Sequence, residues 1–476
     1  MHHTRREFMR NALAAGTLAA AGGAWASAAE EPDARTGGDD SNATDYDVAV
    51  VGAGTAGTIA AIQAGRLGLR TLLVEKNGMP GGTTIVAAVN FPGLFHAWGR
   101  QLIGGIGWEL VSRAVELAGH ELHNFAQVPD RHWQHQLRVN RALYSSLACE
   151  ELQQAGVDVL FHAMPAAVEE VEDGVQLTVC AKTGLETVKT GALIDATGDA
   201  NAIYMAGYPL NEPEELQPGT LITVLTGYDL QDVNRGELEQ AFQAALEDGE
   251  LEPEDEMFVR NNLWGFLSPG LGPGAFEAVK GDNATHIAGV NGRTSAGRTE
   301  AELNSRVSLL RVYRFLRRQP GLENFEISFV APECGIRETA TIRGEATVTA
   351  EDYESGRLWD DAVSYSFYPI DVHYPGGIRQ RHLNPNTFPT IPRGALVPQG
   401  SRRLLVAGRC LSSDRDANSA LRVQASCMGM GQAAAVLAGQ AARQGISVMD
   451  TDMDEARAAL REHGAIVPSE EGPPRV

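Results

Sequence analysis

The sequence predicts an α/β protein with a parallel sheet, an inserted β-meander and a second, α+β domain. Three observations support this prediction. From Tyr46 onward, a buried-strand pattern, a glycine-rich turn and an alanine-rich helix follow one another. Three alternating apolar segments are then separated by turn signals at 173–174 and 183–184. Residues 206–394 are less regular and precede a last apolar strand, which indicates a separate domain inserted into the first.

The individual elements follow from local patterns. The predicted elements are strands at 47–51 and 70–74, a helix between them, a helix at 136–155, meander strands at 167–171, 175–181 and 185–190, a return to the parallel sheet at 193–198, a strand at 404–407 and a helix from about 421 to 440. The predicted organisation is a signal at 1–28, a linker at 29–44, a nucleotide-binding domain at 45–205 and 395–446, a substrate or cap domain at 206–394 and a C-terminal tail at 447–476.

The composition bounds the class of protein. The 476 residues are 43% hydrophobic and 21% charged, which is ordinary for a soluble protein with a sizeable core. The net charge of -22 disfavours contact with phosphate backbones, so nucleic acid is not expected as a partner. The five cysteines have no C-x-x-C or zinc spacing, so we expect small buried residues and no metal site.

The first 28 residues have the features of a cleavable export signal. Arg5 and Arg6 precede Phe8, a short apolar stretch runs from 12 to 24, and small residues continue to Ala28. The arginine pair resembles the twin-arginine signal, which implies export of the folded protein by the twin-arginine translocase to the periplasm or beyond. A disordered tail or an uncleaved anchor is the alternative. The apolar stretch is short, so no stable membrane span is expected after cleavage.

A glycine motif between the first strand and the first helix indicates a dinucleotide site. The motif is Gly52, Ala53, Gly54, Thr55, Ala56 and Gly57. In this context, G-x-G-x-x-G places a diphosphate at the positive N-terminus of the helix. Glu75 ends the second strand at the distance expected for a ribose ligand, and its charge disfavours a 2′-phosphate. FAD or NAD is therefore predicted, and a glycine-rich turn of another α/β fold is the alternative.

Later motifs resemble the FAD-dependent oxidoreductase family of the glutathione-reductase-like, two-segment FAD-binding superfamily. The segments that carry the resemblance are 79–84, 196–199, 405–410, 419–423 and 429–434. The resemblance implies a Rossmann-type FAD-binding domain, with FAD as cofactor. The further FAD contacts that it implies are Lys76, Gly81, Gly82, Thr83, Thr84, Ala167, Ala196, Thr197, Gly198, Asp199, Gly408, Arg409, Leu421, Arg422 and Val423. A helix starting near Ala420 would direct its N–H groups at the flavin pyrimidine ring, or it would simply pack on the sheet.

Two stretches of the predicted cap also resemble this family. Segment 334–344 contains Arg337 and Arg343, and segment 367–373 ends at His373. We expect the arginines to bind a carboxylate or polyol oxygen, and His373 to remove a proton while hydride leaves for flavin N5. Ion pairs with Glu338 or Glu345 are an equally good interpretation of the arginines. A second candidate base, at position 96, is better interpreted as a buried structural histidine.

These features predict an exported FAD-dependent dehydrogenase or oxidase. Its expected substrate is a hydroxy acid, polyol, sugar or amine, and its electrons would pass to oxygen, a quinone or a carrier. The chain contains no second G-x-G-x-x-G for a nicotinamide, no G-x-S-x-G and no H-E-x-x-H. The alternatives are a reductase of an unsaturated acid, an amine- or sterol-type oxidase, and a non-catalytic FAD-binding electron-relay subunit.

Overall fold

The computed structural model describes residues 44–129, 131–269, 279–375 and 377–476. The predicted signal at 1–28 and nearly all of the 29–44 linker lie outside the described residues. The chain from Ala43 onward forms one compact unit.

The strands are β1 (Tyr46–Val51), β2 (Thr71–Glu75), β3 (His96–Ala97), β4 (Arg100–Gln101), β5 (Asp158–Phe161), β6 (Met164–Val171), β7 (Gly174–Ala181), β8 (Gly184–Asp195), β9 (Leu210–Asn211), β10 (Thr223–Thr226), β11 (Glu326–Val330), β12 (Thr341–Ile342), β13 (Ala362–Tyr365), β14 (Ile370–Tyr374), β15 (Gly377–Arg381), β16 (Thr390–Pro392) and β17 (Leu404–Val406). The helices are α1 (Thr55–Arg66), α2 (Gly105–Leu117), α3 (Arg141–Gln154), α4 (Asn201–Met205), α5 (Arg235–Glu247), α6 (Pro253–Phe258), α7 (Leu263–Leu267), α8 (Ser295–Leu316), α9 (Ala350–Ser355), α10 (Arg415–Leu421), α11 (Gln424–Gln444) and α12 (Met453–Glu462).

The main sheet combines parallel strands with the meander. Its order is β5-β2-β1-β8-β7-β6, and β17 pairs with the end of β8. Strands β1, β2, β5 and β17 run parallel to the end of β8, whereas β6, β7 and the beginning of β8 are antiparallel. The predicted third meander strand and the predicted return to the parallel sheet are therefore one continuous strand of 12 residues.

Small residues let two helices pack closely over this sheet. Helix α1 is buried from Thr55 to Ala64, and α11 packs directly against it. A Cβ at Gly431 of α11 would lie 2.2 Å from the carbonyl oxygen of Ala56, so glycine is required at this crossing. The helix predicted at 136–155 begins later, at Arg141, because the side chain of Asn140 caps it by accepting hydrogen bonds from the next turn.

Two apolar clusters divide the described chain differently from the predicted domains. The second cluster joins β10, β11 and helices α5 to α8, and its apolar residues lie mainly between Leu221 and Ile336. Residues of β13, β14 and β16 belong instead to the first cluster, with the main sheet and α11. The cap is thus narrower than 206–394, because the strands after position 340 bury their apolar side chains against the sheet domain.

The segment 447–476, predicted as a tail, also joins the sheet domain. Val448, Ala456 and Leu460 are buried in the first cluster, and α12 packs against α11. In the described part of the chain, no helix combines the length and the apolar character needed to cross a bilayer.

Candidate functional site

A cavity of about 930 Å³ opens beyond the carboxyl ends of β1, β8 and β17. Its walls come from the sheet domain on one side and from the cap on the other. Ligands of open parallel sheets bind at this edge, and the volume is near the upper end of the range for ligand pockets. The space therefore suits a dinucleotide-sized ligand together with a small molecule.

The glycine turn after β1 forms one end of the cavity. Gly52 has φ +97°, and a Cβ there would lie 2.7 Å from the carbonyl oxygen of Ala196. A Cβ at Gly57 would lie 1.8 Å from the carbonyl oxygen of Gly52. At Gly54 the nearest atom to an added Cβ is 3.8 Å away, and this residue lines the cavity. Two glycines are thus required by packing, whereas the third leaves a cradle where a diphosphate can approach the backbone.

The second glycine pair packs against this turn. Gly82 has φ +45°, and a Cβ there would lie 2.6 Å from the Cα of Gly54. The N–H of Gly81 donates to the carbonyl oxygen of Ala53 at 2.7 Å. The two glycine loops, distant in sequence, therefore form one continuous backbone surface around the cradle.

Glu75 lies at the end of β2 and is 6% exposed. Its Oε2 accepts a hydrogen bond from the N–H of Ala53 at 2.7 Å, and its Oε1 accepts one from Asn77 at 2.8 Å. Burial raises the pKa of this carboxyl. Each carboxylate oxygen keeps a second lone pair, so Glu75 can still accept from a ribose hydroxyl. The neighbouring Lys76 forms an ion pair with Glu333 of the cap across the cavity.

The turn after β8 is fixed by a buried ionic cluster. Asp199 accepts hydrogen bonds from Arg409, from Nη2 of Arg298 at 3.3 Å and from Oγ1 of Thr339 at 3.0 Å. Burial alone would raise the pKa of Asp199, but the two guanidinium groups lower it below its usual value. The ionised carboxylate therefore joins the sheet domain to the cap at the cavity wall.

The chain breaks between α10 and α11 at the cavity. The predicted start near Ala420 is wrong by one turn, because α10 ends at Leu421 and α11 begins at Gln424. The N-cap residue of α11 is Val423, whose side chain has no oxygen to accept from the helix N–H groups. Arg422, Val423 and Gln424 line the cavity. The positive end of α11 thus faces the space where a ligand with negative charge would be stabilised.

A chain of three side chains lies on the opposite wall. His373 Nε2 is 3.0 Å from Oδ2 of Asp371, and His373 Nδ1 is 3.2 Å from Nε2 of His286. Burial alone would raise the pKa of Asp371, but the hydrogen bond from His373 lowers it to about 2, so the carboxylate only accepts. His373 therefore carries its proton on Nε2, and Nδ1 is the basic atom.

Both imidazoles are neutral near pH 7. Burial and the positive charge of Arg337 lower the pKa of His373 to about 4. Burial and the same arginine lower the pKa of His286 to about 2. His286 consequently donates its Nε2–H to Nδ1 of His373, and a substrate proton must replace this hydrogen bond to reach Nδ1.

The structure brings most of the sequence-predicted residues to the cavity. The predicted residues that line it are Gly52, Gly54, Thr55, Ala56, Glu75, Lys76, Gly82, Thr83, Ala196, Thr197, Gly198, Asp199, Arg337, His373, Gly408, Arg409, Arg422 and Val423. Those that support the lining from behind are Ala53, Gly57, Gly81, Thr84 and Leu421. Thr84, for example, hydrogen-bonds to the side chain of Gln424 at the start of α11.

Two predicted residues lie elsewhere. Arg343 is exposed, and its Nε donates to Oδ1 of Asn211 at 3.1 Å. Ala167 is exposed on β6, while Ala163, Met164 and Pro165 line the cavity instead. Both residues were misplaced for the same reason. In an extended chain, a shift of a few positions turns a side chain to the other face or moves it out of reach of the cavity.

Sequence reasoning missed several residues of the cap side. His286 and Asn283 contact His373 and Arg337, and Gln217 accepts from the N–H of His373. No motif surrounds them, so only the folded chain brings them together. The imidazole of His96 is buried against Phe125 with ring centroids 3.8 Å apart, and it does not line the cavity.

The cysteines divide into two groups. Cys334, Cys410 and Cys427 are buried as expected, whereas Cys149 is half-buried and Cys180 is exposed. Burial raises the pKa of Cys334 and of Cys427 to about 12, so these cavity thiols are protonated. In the described ranges, no group of three metal-ligating side chains has metal-site geometry.

The glycine cradle lies at the start of α1, beside the acid that ends β2 and the uncapped start of α11. This arrangement defines a dinucleotide-binding protein. The family model of FAD-dependent oxidoreductases matches residues 47–460 of this chain. The chain therefore belongs to the FAD-dependent oxidoreductase family, and FAD is its cofactor. The cradle at Gly54 and the uncapped start of α11 fit this group.

Curated relatives match only short stretches. A stretch of 53 residues is 51% identical to dihydrolipoyl dehydrogenase of Trypanosoma brucei brucei and covers 11% of each chain. A stretch of 85 residues is 36% identical to leghemoglobin reductase of Vigna unguiculata, covering 17% of this chain and 16% of that protein. The chain thus spans well under two thirds of the curated relatives it matches.

Solved structures show distant likeness over most of the chain. A geranylgeranyl bacteriochlorophyll reductase-like protein of Thermoplasma acidophilum has 14% identity and a TM-score of 0.40, covering 88% of this chain and 84% of that one. CabE, an aromatic hydroxylase from angucycline biosynthesis, has 12% identity and a TM-score of 0.41, covering 89% and 70%.

Proposed function

We propose that this oxidoreductase removes a hydride and a proton from a small polar organic molecule held beside His373. The observation that carries this proposal is the neutral imidazole of His373 in the same cavity as the glycine cradle. Arg337 lines the same wall and offers guanidinium donors to an oxygen of the substrate. FAD supplies the acceptor for the hydride, and oxygen, a quinone or a carrier protein is the proposed final acceptor.

Side chains of this protein can accept the proton that the substrate loses. For an alcohol substrate, the O–H group replaces His286 as the hydrogen-bond donor to Nδ1 of His373. The O–H proton then passes to Nδ1 while the C–H bond gives up its hydride, so two electrons and two hydrogens leave the carbon and oxygen together. Asp371 holds the ring through Nε2–H and stabilises the imidazolium that forms. The N–H of His373 donates to Gln217 at 3.0 Å, which fixes the backbone at this position.

The test is the anaerobic bleaching of the flavin by a panel of hydroxy acids, polyols, sugars and amines. We expect one class to bleach it, and we expect His373→Gln to slow bleaching on the order of 100-fold, because glutamine cannot take up the proton. His120→Gln is the matched control, since His120 is exposed and does not line the cavity. If both variants bleach at the wild-type rate, His373 is not the base. If a chemically reduced sample is reoxidised by an unsaturated acid and no compound bleaches the flavin, the reaction runs as a reduction.

The pH profile of bleaching adds a second readout. Because burial keeps the imidazole of His373 neutral above about pH 4, its basic form persists well below the pKa of an ordinary histidine. The apparent second-order rate constant should therefore stay flat between about pH 5 and pH 8. An inflection near about pH 6.5 would show that the base is an ordinary, exposed histidine.

We further propose that the protein is exported by the twin-arginine translocase to the periplasm or beyond. The support is the Arg5-Arg6 pair and the small-residue stretch that follows it. Replacing both arginines with lysine should leave an uncleaved precursor in the cytoplasm, as measured by immunoblots of cell fractions. Unchanged export of the double-lysine variant would exclude this route. Membership of the glutathione-reductase-like superfamily is also proposed, and the two short curated alignments support it.

A further inference from the structure

Three guanidinium groups gather around the Asp371–His373 pair. Arg337 and Arg422 line the cavity, and Arg260 is close enough for its charge to lower the pKa of Arg337. In the described part of the chain, no carboxylate oxygen lies within 4.0 Å of the guanidinium nitrogens of these three residues. The three residues, called here the arginine cluster, therefore keep their positive charges without an ion-pair partner among the described residues.

Neutral acceptors hold the arginine cluster in place. Arg337 donates to the carbonyl oxygen of Pro218 at 2.7 Å and to Oδ1 of Asn283 at 3.0 Å. Arg422 donates to Oε1 of Gln217 at 3.0 Å and to the carbonyl oxygen of Asp371 at 3.3 Å. The backbone carbonyl of Asn283 also accepts from Arg260, at 3.1 Å. These contacts fix the geometry of the guanidinium groups without cancelling their charge. The ionised carboxylate of Asp371 attracts all three groups from a longer distance, so their three positive charges are only partly compensated.

Other arginines around the same cavity are paired. Arg409 and Arg298 share Asp199, and Arg293 contacts Oε1 of Glu212 at 2.9 Å. The arginine cluster is thus an exception within its own site. Burial and the neighbouring charges of Arg422 and Arg260 lower the pKa of Arg337, and the carboxylate of Asp371 offsets only part of this cost of crowding. An anion entering between these groups would relieve that cost.

We propose that the arginine cluster binds the carboxylate of the substrate, so that the substrate class is the 2-hydroxy acids. This inference rests on the proposed function and selects one class from those the cavity admits. A carboxylate accepts two parallel guanidinium hydrogen bonds, and a hydroxyl on the adjacent carbon suits a base on the same wall. A protonated amine is repelled by the excess positive charge of the arginine cluster, and a neutral polyol does not compensate that excess.

The experiment uses the FAD-loaded, oxidised protein. Glycolate, lactate and malate are each titrated against the corresponding neutral amide, with the visible flavin spectrum and equilibrium dialysis as readouts. We expect the acids to bind at least about tenfold tighter than the amides. Arg337→Met should weaken acid binding by about 10- to 100-fold and amide binding by much less, since a hydrogen bond to a charged group is lost only for the acids. Arg337→Lys should recover part of the loss.

Arg343→Met is the matched control, because Arg343 is exposed and lies outside the cavity. Equal binding of acids and amides, or an equal effect of Arg337→Met on both, overturns the inference. If Arg337→Met instead releases FAD and leaves acid binding to the remaining holoprotein intact, the arginine cluster serves the cofactor and the inference is also wrong. Charge-selective binding without bleaching supports the anion site and counts against hydride removal. Bleaching by neutral compounds without a preference for acids supports hydride removal and counts against the anion site.

Discussion

Replacing Gly57 with alanine is expected to give a protein that does not retain FAD. The new Cβ would lie 1.8 Å from the carbonyl oxygen of Gly52 and 2.8 Å from the Cβ of Ala196. Neither atom can withdraw, because both belong to the turns that end β1 and β8, so α1 has to move away from the sheet. Its N–H groups then no longer converge on the diphosphate. The visible absorbance of the purified variant, and an FAD titration of its apoprotein, measure the loss.

Gly54→Ala is the matched control for this change. Its Cβ would have no atom of the chain closer than 3.8 Å, so the apoprotein should melt within a few degrees of the wild type. It should nevertheless bind FAD more weakly, because the methyl group occupies the cradle. If Gly57→Ala retains FAD with wild-type affinity, the turn is not the diphosphate site. If Gly54→Ala also binds FAD normally, the cradle lies elsewhere.

The second large effect is expected for Asp199→Asn. This change keeps the shape of the side chain but leaves Arg409 and Arg298 without their carboxylate in the cavity wall. Breaking a buried pair by removing one charge typically costs about 3–5 kcal/mol. Urea unfolding of the apoprotein should show a loss of this size in the free energy of unfolding.

Glu239→Gln supplies the comparison for Asp199→Asn. Its partner Arg235 is exposed on the same helix, α5, and this pair spans one helical turn at the surface. Exposed pairs of this kind contribute about 0.3–0.5 kcal/mol, so the two variants should differ clearly. A similar, small loss in both would mean that water compensates the charges around Asp199.

The sequence predicted the strands of the main sheet well because their signals are local. The turn at Gly52, the acid at Glu75 and the hairpin signals of the meander each lie within a few residues of the element they define. The predicted starts of helices are less accurate where a single side chain or a local break decides where the helix begins. Asn140 sets the start of α3, and the break at Arg422 and Val423 separates α10 from α11.

The cap side of the cavity could not be predicted in the same way. His286 reaches His373 across 87 positions of sequence, and Arg260, just beyond the end of α6, donates to the carbonyl oxygen of Asn283 beside Arg337. Arg337 and Arg343 occur in one short segment, yet only the first lines the cavity. The path of the extended chain between the two domains decides which of these side chains faces a ligand. The local sequence pattern does not reveal that path.

Because β8 is continuous, its pairing with the meander sets the position of the residues at its cofactor-facing carboxyl end. Its first half is aligned by β7 without a register shift, and its last residue, Asp195, accepts hydrogen bonds from the N–H groups of Thr197 and Ala202. An insertion of one residue within the strand would invert every side chain beyond it, including this carboxylate. Residues added at the hairpin tip between Ala181 and Gly184 would leave this carboxylate in place, because the tip lies at the other end of β8 from the cavity.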